Sequence, residues 1–101
     1  MIARLKGTLA VKQPDHLIVD VAGVGFKVLA PLSTFYGLPE AGQPVELLIH
    51  TQLRDEAILL FGFLSRTEKR LFELLIGVSG IGPRLALNIL SGIQAQELAQ
   101  A

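Results

Sequence analysis

Hydrophobic and polar positions alternate along the first part of the chain and later change to a helical spacing. Up to residue 63, short runs of β-branched and apolar residues are closed every eight to twelve positions or so by glycine, proline or charge. This pattern predicts strands at residues 2–11, 17–21, 26–30, 45–53 and 57–63. Turn signals lie between them at Gln13-Pro14-Asp15 and at Gly23-Val24-Gly25.

Five short strands in about sixty residues indicate a small closed barrel. A flat sheet of that size would leave long edges free to pair with other chains. We therefore predict an OB-type β barrel over residues 1–64, followed by a helical part. The segment "STFYGLPEAGQP" interrupts the strand pattern, and we expect a short helix or loop there, with Ser33 capping one turn.

From Ser65 onward, apolar residues recur at the spacing of a helix. The stretch "SRTEKRLFELLIG" places Leu71, Leu74 and Leu75 on one face, and Phe72 and Ile76 widen that face. This spacing predicts an amphipathic helix that buries the leucines.

The ends of the helices are also marked in the sequence. Ser65 and Glu68 match the capping box, and the first helix is expected to end at Gly77, a residue that tolerates the left-handed conformation a helix stop often needs. Proline suits the first helical position, so a second helix is predicted from Pro83 to a stop at Gly92. A third helix is predicted over "IQAQELAQA", and residues 65–101 form the predicted helical part.

Composition excludes several classes of site. The chain has 101 residues, 50% of them hydrophobic, with nine basic and nine acidic residues and no cysteine. It is long enough for one modest domain, and its zero net charge does not indicate a general polyanion binder. His16 and His50 lie far apart without a second ligand at metal spacing, so no metal or other cofactor is expected. The N-terminus fits neither a signal peptide nor a membrane span, which predicts a cytoplasmic protein without a membrane partner.

The stretch "GVSGIGPRLAL" joins the two predicted helices through a glycine-rich hairpin. Gly80 and Gly82 permit positive φ and leave backbone N–H groups uncovered, and the helix that begins at Pro83 adds a positive dipole end. Arg84 supplies a full charge at the same place, so a phosphate would bind favourably. Ile81 is expected to point back and pin the hairpin to the helices. The spacing alone is equally compatible with a plain turn between helices.

Two nucleotide-binding motifs are not matched. A dinucleotide-binding glycine loop needs a preceding strand and a third glycine, where this chain has Leu85. The phosphate loop of ATPases is absent from the sequence, so we expect no ATP hydrolysis. No nucleophile, metal ligand or base is found near the hairpin, which predicts a protein without catalytic residues.

The remaining charged residues singled out in the sequence are expected at ordinary solvent-exposed positions. Lys69 and Arg70 are expected on a solvated helix face. Asp55 and Glu56 fall between the fourth and fifth predicted strands, where charges are usually an ordinary polar turn.

Four stretches together carry a resemblance to a known family: "MIARLKGTL", "LPEAGQPV", "RDEAILLFGF" and "GIGPRLALNILSG". The chain resembles the RuvA family along its whole length. That family binds Holliday junctions and recruits the RuvB branch-migration motor. The resemblance implies an N-terminal OB-fold barrel, a domain with two helix-hairpin-helix motifs, and a tetramer with fourfold symmetry.

The resemblance also implies roles for particular residues. Gly80, Ile81, Gly82 and Arg84 would form the first helix-hairpin-helix motif and its DNA phosphate site, with arginine where the family usually carries lysine. Asp55 and Glu56 would form an acidic pin at the centre of the junction. The implied partners are four-way junction DNA, three further copies of the chain, RuvB and the RuvC resolvase, in recombination, DNA repair and the SOS response.

The second hairpin, the linker and the motor-binding domain of the family would lie beyond Ala101, so an N-terminal fragment is expected. The leading hypothesis is thus a non-catalytic, junction-binding subunit of a helicase complex. The alternative is an oligomeric protein-interaction module whose glycine hairpin is only a turn.

Overall fold

The computed structural model describes the backbone of residues 1–100 and the side chains of residues 1–92. The strands and helices follow one another in the predicted order, with the strands first. They are β1 (Arg4–Gln13), β2 (His16–Val21), β3 (Val24–Val28), α1 (Leu32–Gly37), β4 (Pro44–Arg54), β5 (Ala57–Phe63), α2 (Arg66–Ile76) and α3 (Pro83–Gln100).

The strands form one antiparallel five-stranded sheet in the order β3-β2-β1-β4-β5. The central strand β1 pairs with β4 through its first half and with β2 through its second, and the pairing with β2 is interrupted by a bulge between Leu9 and Val11. Bulges bend a strand and increase its twist. Gly7 lies just before this bend, where any Cβ would collide with the backbone carbonyl of Asp20. The sheet therefore curls at a point that requires glycine.

The curled sheet closes through the end of β3. Leu29 forms a parallel bridge with Phe61, in which its N–H donates to Leu60 O at 2.9 Å and its carbonyl accepts from Gly62 N at 2.8 Å. This closure satisfies backbone groups that an open edge would expose. The fold is an OB-like barrel followed by helices, which confirms the predicted fold class. The extent of its domains stays a prediction.

The barrel interior is filled by the inward-facing residues of the alternating pattern. Leu9, Val19, Val28 and Leu47 are each fully buried, at 0% exposure, within one cluster of aliphatic side chains. One turn differs from the prediction. The β2–β3 turn consists of Ala22 and Gly23, with φ of 53° and 91°, so β3 begins at Val24 rather than at residue 26.

The short helix α1 connects the barrel to both longer helices. Its first N–H, on Leu32, donates to Ser91 Oγ of α3 at 2.9 Å. Ser33 Oγ and Thr34 Oγ1 donate to Glu68 Oε2 of α2 at 2.8 and 3.2 Å. The sequence predicts that Ser33 caps its own helix. This prediction is wrong, because the Ser33 hydroxyl donates to a carboxylate of α2.

Helix α2 packs on the outer face of the barrel through Phe72. This ring is fully buried, with its centroid 5.0 Å from that of Phe61 and 5.1 Å from that of Phe63. The predicted buried face is wrong in part, because Leu71 and Leu74 are 39% and 59% exposed. The outer face of β5 selects the aromatic side of the helix, since only there can rings stack on rings.

The two ends of α2 lie where they are predicted, whereas the predicted end of the second helix is wrong. Ser65 caps α2, and its side chain accepts from Glu68 N at 3.2 Å. α2 ends at Gly77 as predicted, but Gly77 lies in the right-handed region, with φ of −76°, so the left-handed conformation that glycine tolerates is not used there. α3 runs from Pro83 through Gly92 to Gln100, so the predicted stop at Gly92 and a separate third helix are wrong. A helix-interior glycine weakens a helix by about 1 kcal/mol but does not by itself end it. Ala101 lies outside the described residues.

Gly62 provides a test of barrel closure. A Cβ there would lie 2.5 Å from Val28 Cγ1 and 3.2 Å from Leu47 Cδ1, both in the core. We expect Gly62→Ala to lower the free energy of unfolding by about 1–3 kcal/mol, the usual cost of overpacking. Gly92→Ala is the control, because nothing lies within 4 Å of its added Cβ, and it should instead raise stability by about 0.5–1 kcal/mol. Urea unfolding of both variants measures the difference, and equal midpoints would contradict this account.

Candidate nucleic-acid interface

The hairpin between α2 and α3 turns on Gly80. Its φ is +89°, a left-handed conformation that side chains disfavour, and nothing lies within 4 Å of an added Cβ. Gly82 is different, because its φ lies outside that region and the space around it is also open. Only one of the two glycines therefore has the positive φ that the sequence analysis allows for both. At Gly82 the fold would accept a side chain, so the fold itself does not require glycine there. A ligand that approaches the backbone closely would require it.

The hairpin presents unpaired backbone donors. Gly82 O accepts from Ala86 N at 3.0 Å, so α3 begins here, with Pro83 at the first helical position as predicted. Among the residues that the structure describes, no acceptor lies in hydrogen-bond reach of the N–H groups of Gly80, Gly82, Arg84 and Leu85. Such groups at a helix start, with the helix dipole behind them, attract anions.

Ile81 anchors the hairpin, as its apolar character predicts. It packs against the second core cluster, which contains Phe72, Ala86 and Leu90, and its N–H donates to Val78 O at 3.1 Å. The exposed glycines on either side of it are therefore carried on a turn fixed to the core.

Arg84 lies in the first turn of α3 and is exposed. Within residues 1–92, whose side chains are described, it forms no ion pair. It lines a cleft of about 430 Å³ between α3 and the barrel, and Arg54 at the end of β4 lines the same cleft. No sequence motif marks Arg54, which is also without an ion pair in that part of the chain.

Asp55 and Glu56 form the turn between β4 and β5, enclosed by the pair Arg54 and Ala57. Both are exposed, and their φ values are 50° and 65°. A tight hairpin of this kind needs positive φ at both central positions and favours Asn-Gly or Asp-Gly. Glutamate at the second position is strained, and strained residues tend to cluster at functional sites.

One cleft joins a residue of the glycine hairpin to the neighbour of the acidic turn. Arg54 directly precedes the acidic turn, Arg84 belongs to the glycine hairpin, and both line one cleft. The two sites are thus joined by a surface that neither motif revealed.

The histidines have structural partners. His50 Nδ1 lies 2.9 Å from Glu73 Oε2, and its Nε2 lies 2.9 Å from Gln52 Oε1, which ties β4 to α2. His16 Nδ1 lies 3.0 Å from Asp15 Oδ1, and this hydrogen bond lowers the pKa of the Asp15 carboxyl below its usual range. In the described part of the chain, no group of three or more metal-ligating side chains is assembled. No helix there is long and apolar enough to span a membrane.

Comparison with known proteins assigns both parts of the chain. Residues 1–62 match the family model of the RuvA N terminal domain, and residues 72–101 match the SAM-like helix-hairpin-helix tandem model. The chain belongs to the RuvA family. The hairpin at Gly80 is thus a helix-hairpin-helix motif of a RuvA-family protein.

Two similar curated proteins carry the same name. The chain is 60% identical over 101 residues to the Holliday junction branch migration complex subunit RuvA of Trichlorobacter lovleyi, covering 100% of this chain and 50% of the relative. It is 56% identical to the protein of the same name from Geobacter sulfurreducens, covering 100% and 51%. The chain spans about half the length of the curated relatives it matches.

The two hairpin glycines give a matched pair of variants. Gly80→Ala should cost about 1–2 kcal/mol of stability, because alanine must adopt the left-handed conformation there. Gly82→Ala should change stability by less than about 0.5 kcal/mol, because its Cβ enters open space. Urea unfolding at one pH compares the two. Equal losses would show that the hairpin needs both glycines for its own conformation.

Proposed function

We propose that this chain is the junction-binding part of a RuvA subunit, which binds four-way junction DNA through the glycine hairpin and excludes intact duplex with the acidic turn. The observation that carries the proposal is the hairpin, where N–H groups and the guanidinium of Arg84, all without a partner among the described residues, face solvent together. The names of the relatives, each a Holliday junction branch migration complex subunit, support the choice of DNA structure.

The hairpin supplies attraction that does not depend on base sequence. Backbone N–H groups and arginine contact phosphate oxygens, and such contacts position a protein on DNA without reading bases. Each neutralised phosphate releases condensed counterions, so affinity falls as salt rises. Since the chain has no net charge, this attraction is local to the hairpin and its surroundings.

The acidic turn supplies discrimination. At about 4 Å, two like unit charges cost roughly 1 kcal/mol in bulk water and about 4 kcal/mol near a protein surface. A duplex laid across Asp55 and Glu56 would bring its phosphates to this distance, whereas an open junction leaves a gap between its arms. The repulsion therefore penalises duplex more than junction, which is how specificity is commonly achieved.

The geometry of the turn supports this role. Asp55 and Glu56 both adopt positive φ, although Asn-Gly would suit these positions better. A turn serving only to connect two strands has no need of carboxylates at strained positions. Their presence is explained if the charges themselves are required.

The proposed assembly is a homotetramer in which four acidic turns meet at the junction centre. In the full-length protein, a third domain would recruit the RuvB ATPase, and the RuvC resolvase would bind the same junction. Chemistry would belong to these partners, since the hairpin and the acidic turn offer binding groups only. The complex would act on chromosomal DNA in the bacterial cytoplasm during recombination, repair and the SOS response.

A second candidate function is a protein-interaction module, and one observation favours it. Leu71 and Leu74 of α2 and Val78, two residues beyond its end, are exposed apolar residues, with 39%, 59% and 53% of their surfaces accessible. Such residues are suited to contact with another protein surface. The mass in solution with and without junction DNA distinguishes the two candidates, because assembly without DNA binding would favour the interaction module.

Arg84→Ala tests the phosphate site. We expect weaker binding to junction and duplex alike, and a log Kd against log salt slope that is shallower by about one unit, as for one lost phosphate contact. Fluorescence anisotropy at several salt concentrations measures both quantities. Arg70→Ala, an exposed arginine of α2 outside the cleft, is the control and should leave the slope unchanged. A loss confined to particular base sequences would argue against a phosphate contact.

Replacing both carboxylates of the acidic turn tests discrimination. Asp55→Asn combined with Glu56→Gln should tighten duplex binding more than junction binding, because the repulsion acts mainly on the duplex. The measurement is the ratio of the two dissociation constants at one salt concentration.

A second double variant separates charge from backbone strain. Asp55→Asn with Glu56→Gly removes the same charges and gives the turn its preferred residues, so it should be more stable but shift the ratio equally. If neither double variant changes the ratio, the residues form only a solvated turn.

A further inference from the structure

We propose that the cleft between α3 and the end of the β4–β5 hairpin is a second site for the DNA backbone, in which Arg54 and Arg84 hold nearby phosphates of the same strand. This inference rests on the proposed function, because it assumes that the glycine hairpin contacts DNA. It adds a binding residue, Arg54, and a path for the strand between the hairpin and the acidic turn.

The register of β4 and β5 places Arg54 on the helix side of the barrel. His50, Gln52 and Arg54 alternate along β4, and their cross-strand partners are Phe61, Leu59 and Ala57. Because side chains alternate between the faces of a sheet, these residues share one face. Phe61 of that face stacks on Phe72 of α2, which identifies it as the face covered by the helices.

The three polar residues of this row differ in their partners. His50 contacts both Glu73 of α2 and Gln52, at 2.9 Å each. The side chains of His50 and Gln52 therefore help to join the barrel to the helix. Arg54, the last member, lines the cleft and has no ion pair in the part of the chain with described side chains. Its guanidinium is therefore available to a ligand.

The opposite wall of the cleft is one face of α3. Arg84, Asn88 and Ser91 recur at helical spacing and all line it. The Ser91 hydroxyl is occupied, since it donates to Leu87 O and accepts from Leu32 N, both at 2.9 Å. Arg84 and Asn88 remain, so each wall contributes a guanidinium and α3 adds an uncharged amide.

The chemistry of the cleft favours a single DNA strand. Its floor is apolar, with Leu29, Leu59 and Phe61, which suits a deoxyribose, and its walls hold the two arginines. Arginine binds phosphate oxygens through paired N–H groups. A volume of about 430 Å³ is in the range of small-molecule pockets, so it can hold a short piece of sugar-phosphate chain but not a duplex.

One carboxylate limits the site. Asp15 also lines the cleft, on the β1–β2 turn, and its side chain is bonded to His16. A phosphate is repelled by this carboxylate and attracted by the two arginines. Arg54 directly precedes Asp55, so a strand held there meets the carboxylates of the turn next. The combination would hold one strand at the edge of the acidic turn and direct its continuation away from it.

The test combines charge removal on the protein with charge removal on the DNA. Junctions carrying one uncharged methylphosphonate, moved step by step along a strand, are titrated with the unaltered protein, Arg54→Ala, Arg84→Ala and the double variant. We expect each single variant to lower the salt slope by about one unit and the double variant by about two. Two nearby methylphosphonate positions should weaken binding of the unaltered protein, one losing its effect in Arg54→Ala and the other in Arg84→Ala.

Arg54→Lys and Arg70→Ala complete the design. Lysine keeps the charge without the fork, so Arg54→Lys should restore the salt slope but only part of the affinity. Arg70→Ala should behave as the unaltered protein, and urea unfolding midpoints confirm that each variant is folded. If the unaltered protein binds junctions and Arg54→Ala binds them with the same affinity and slope, the cleft inference is wrong while the proposed function stands. If the unaltered protein does not bind junctions, both fail.

Discussion

The position of the glycine hairpin relative to the acidic turn depends on the contact between Phe72 and the outer face of β5. Its ring lies 5.0 Å from Phe61, 5.1 Å from Phe63 and 5.5 Å from the His50 ring, measured between centroids. Because β5 begins directly after the acidic turn, this cluster holds α2 against the same hairpin that carries the carboxylates. The glycine hairpin follows α2, so its distance from the acidic turn is set by aromatic packing.

The sequence predicted the elements of the fold better than their faces. Strand positions follow from local alternation, and β5 begins and ends at the predicted residues, Ala57 and Phe63. Leu60 and Phe61 are buried on opposite faces of β5, so the outer face of β5 is covered as well as the inner one. Helix α2 covers the outer face with Phe72 and leaves Leu74 exposed. That choice requires knowing that the barrel has an aromatic outer surface, which no spacing within α2 reveals.

The candidate site shows the same division. Gly80, Gly82 and Arg84 could be found because a helix-to-helix turn with an adjacent cation is a local pattern. Arg54 could not, because its availability depends on cross-strand register and on where α3 lies. The alternation of His50, Gln52 and Arg54 indicates that the three residues share one face of β4. The sequence does not show that His50 and Gln52 hydrogen-bond to each other while Arg54 faces solvent.

Because its basic and acidic residues balance, a protein of this kind has few ways to bind DNA strongly. A single chain offers few unpaired cations toward the proposed strand path, and two carboxylates stand beside them, so its affinity for phosphate must be modest. In the proposed tetramer, each copy after the first binds DNA already held nearby, and effective concentration multiplies weak contacts into strong binding. The carboxylates then lower the affinity for a junction only slightly, because its open centre places no phosphates beside them. They lower the affinity for a duplex once for each copy of the protein that the duplex crosses. Weak attraction and local repulsion in one chain therefore become selectivity only when copies are arranged around a centre that the preferred DNA leaves empty.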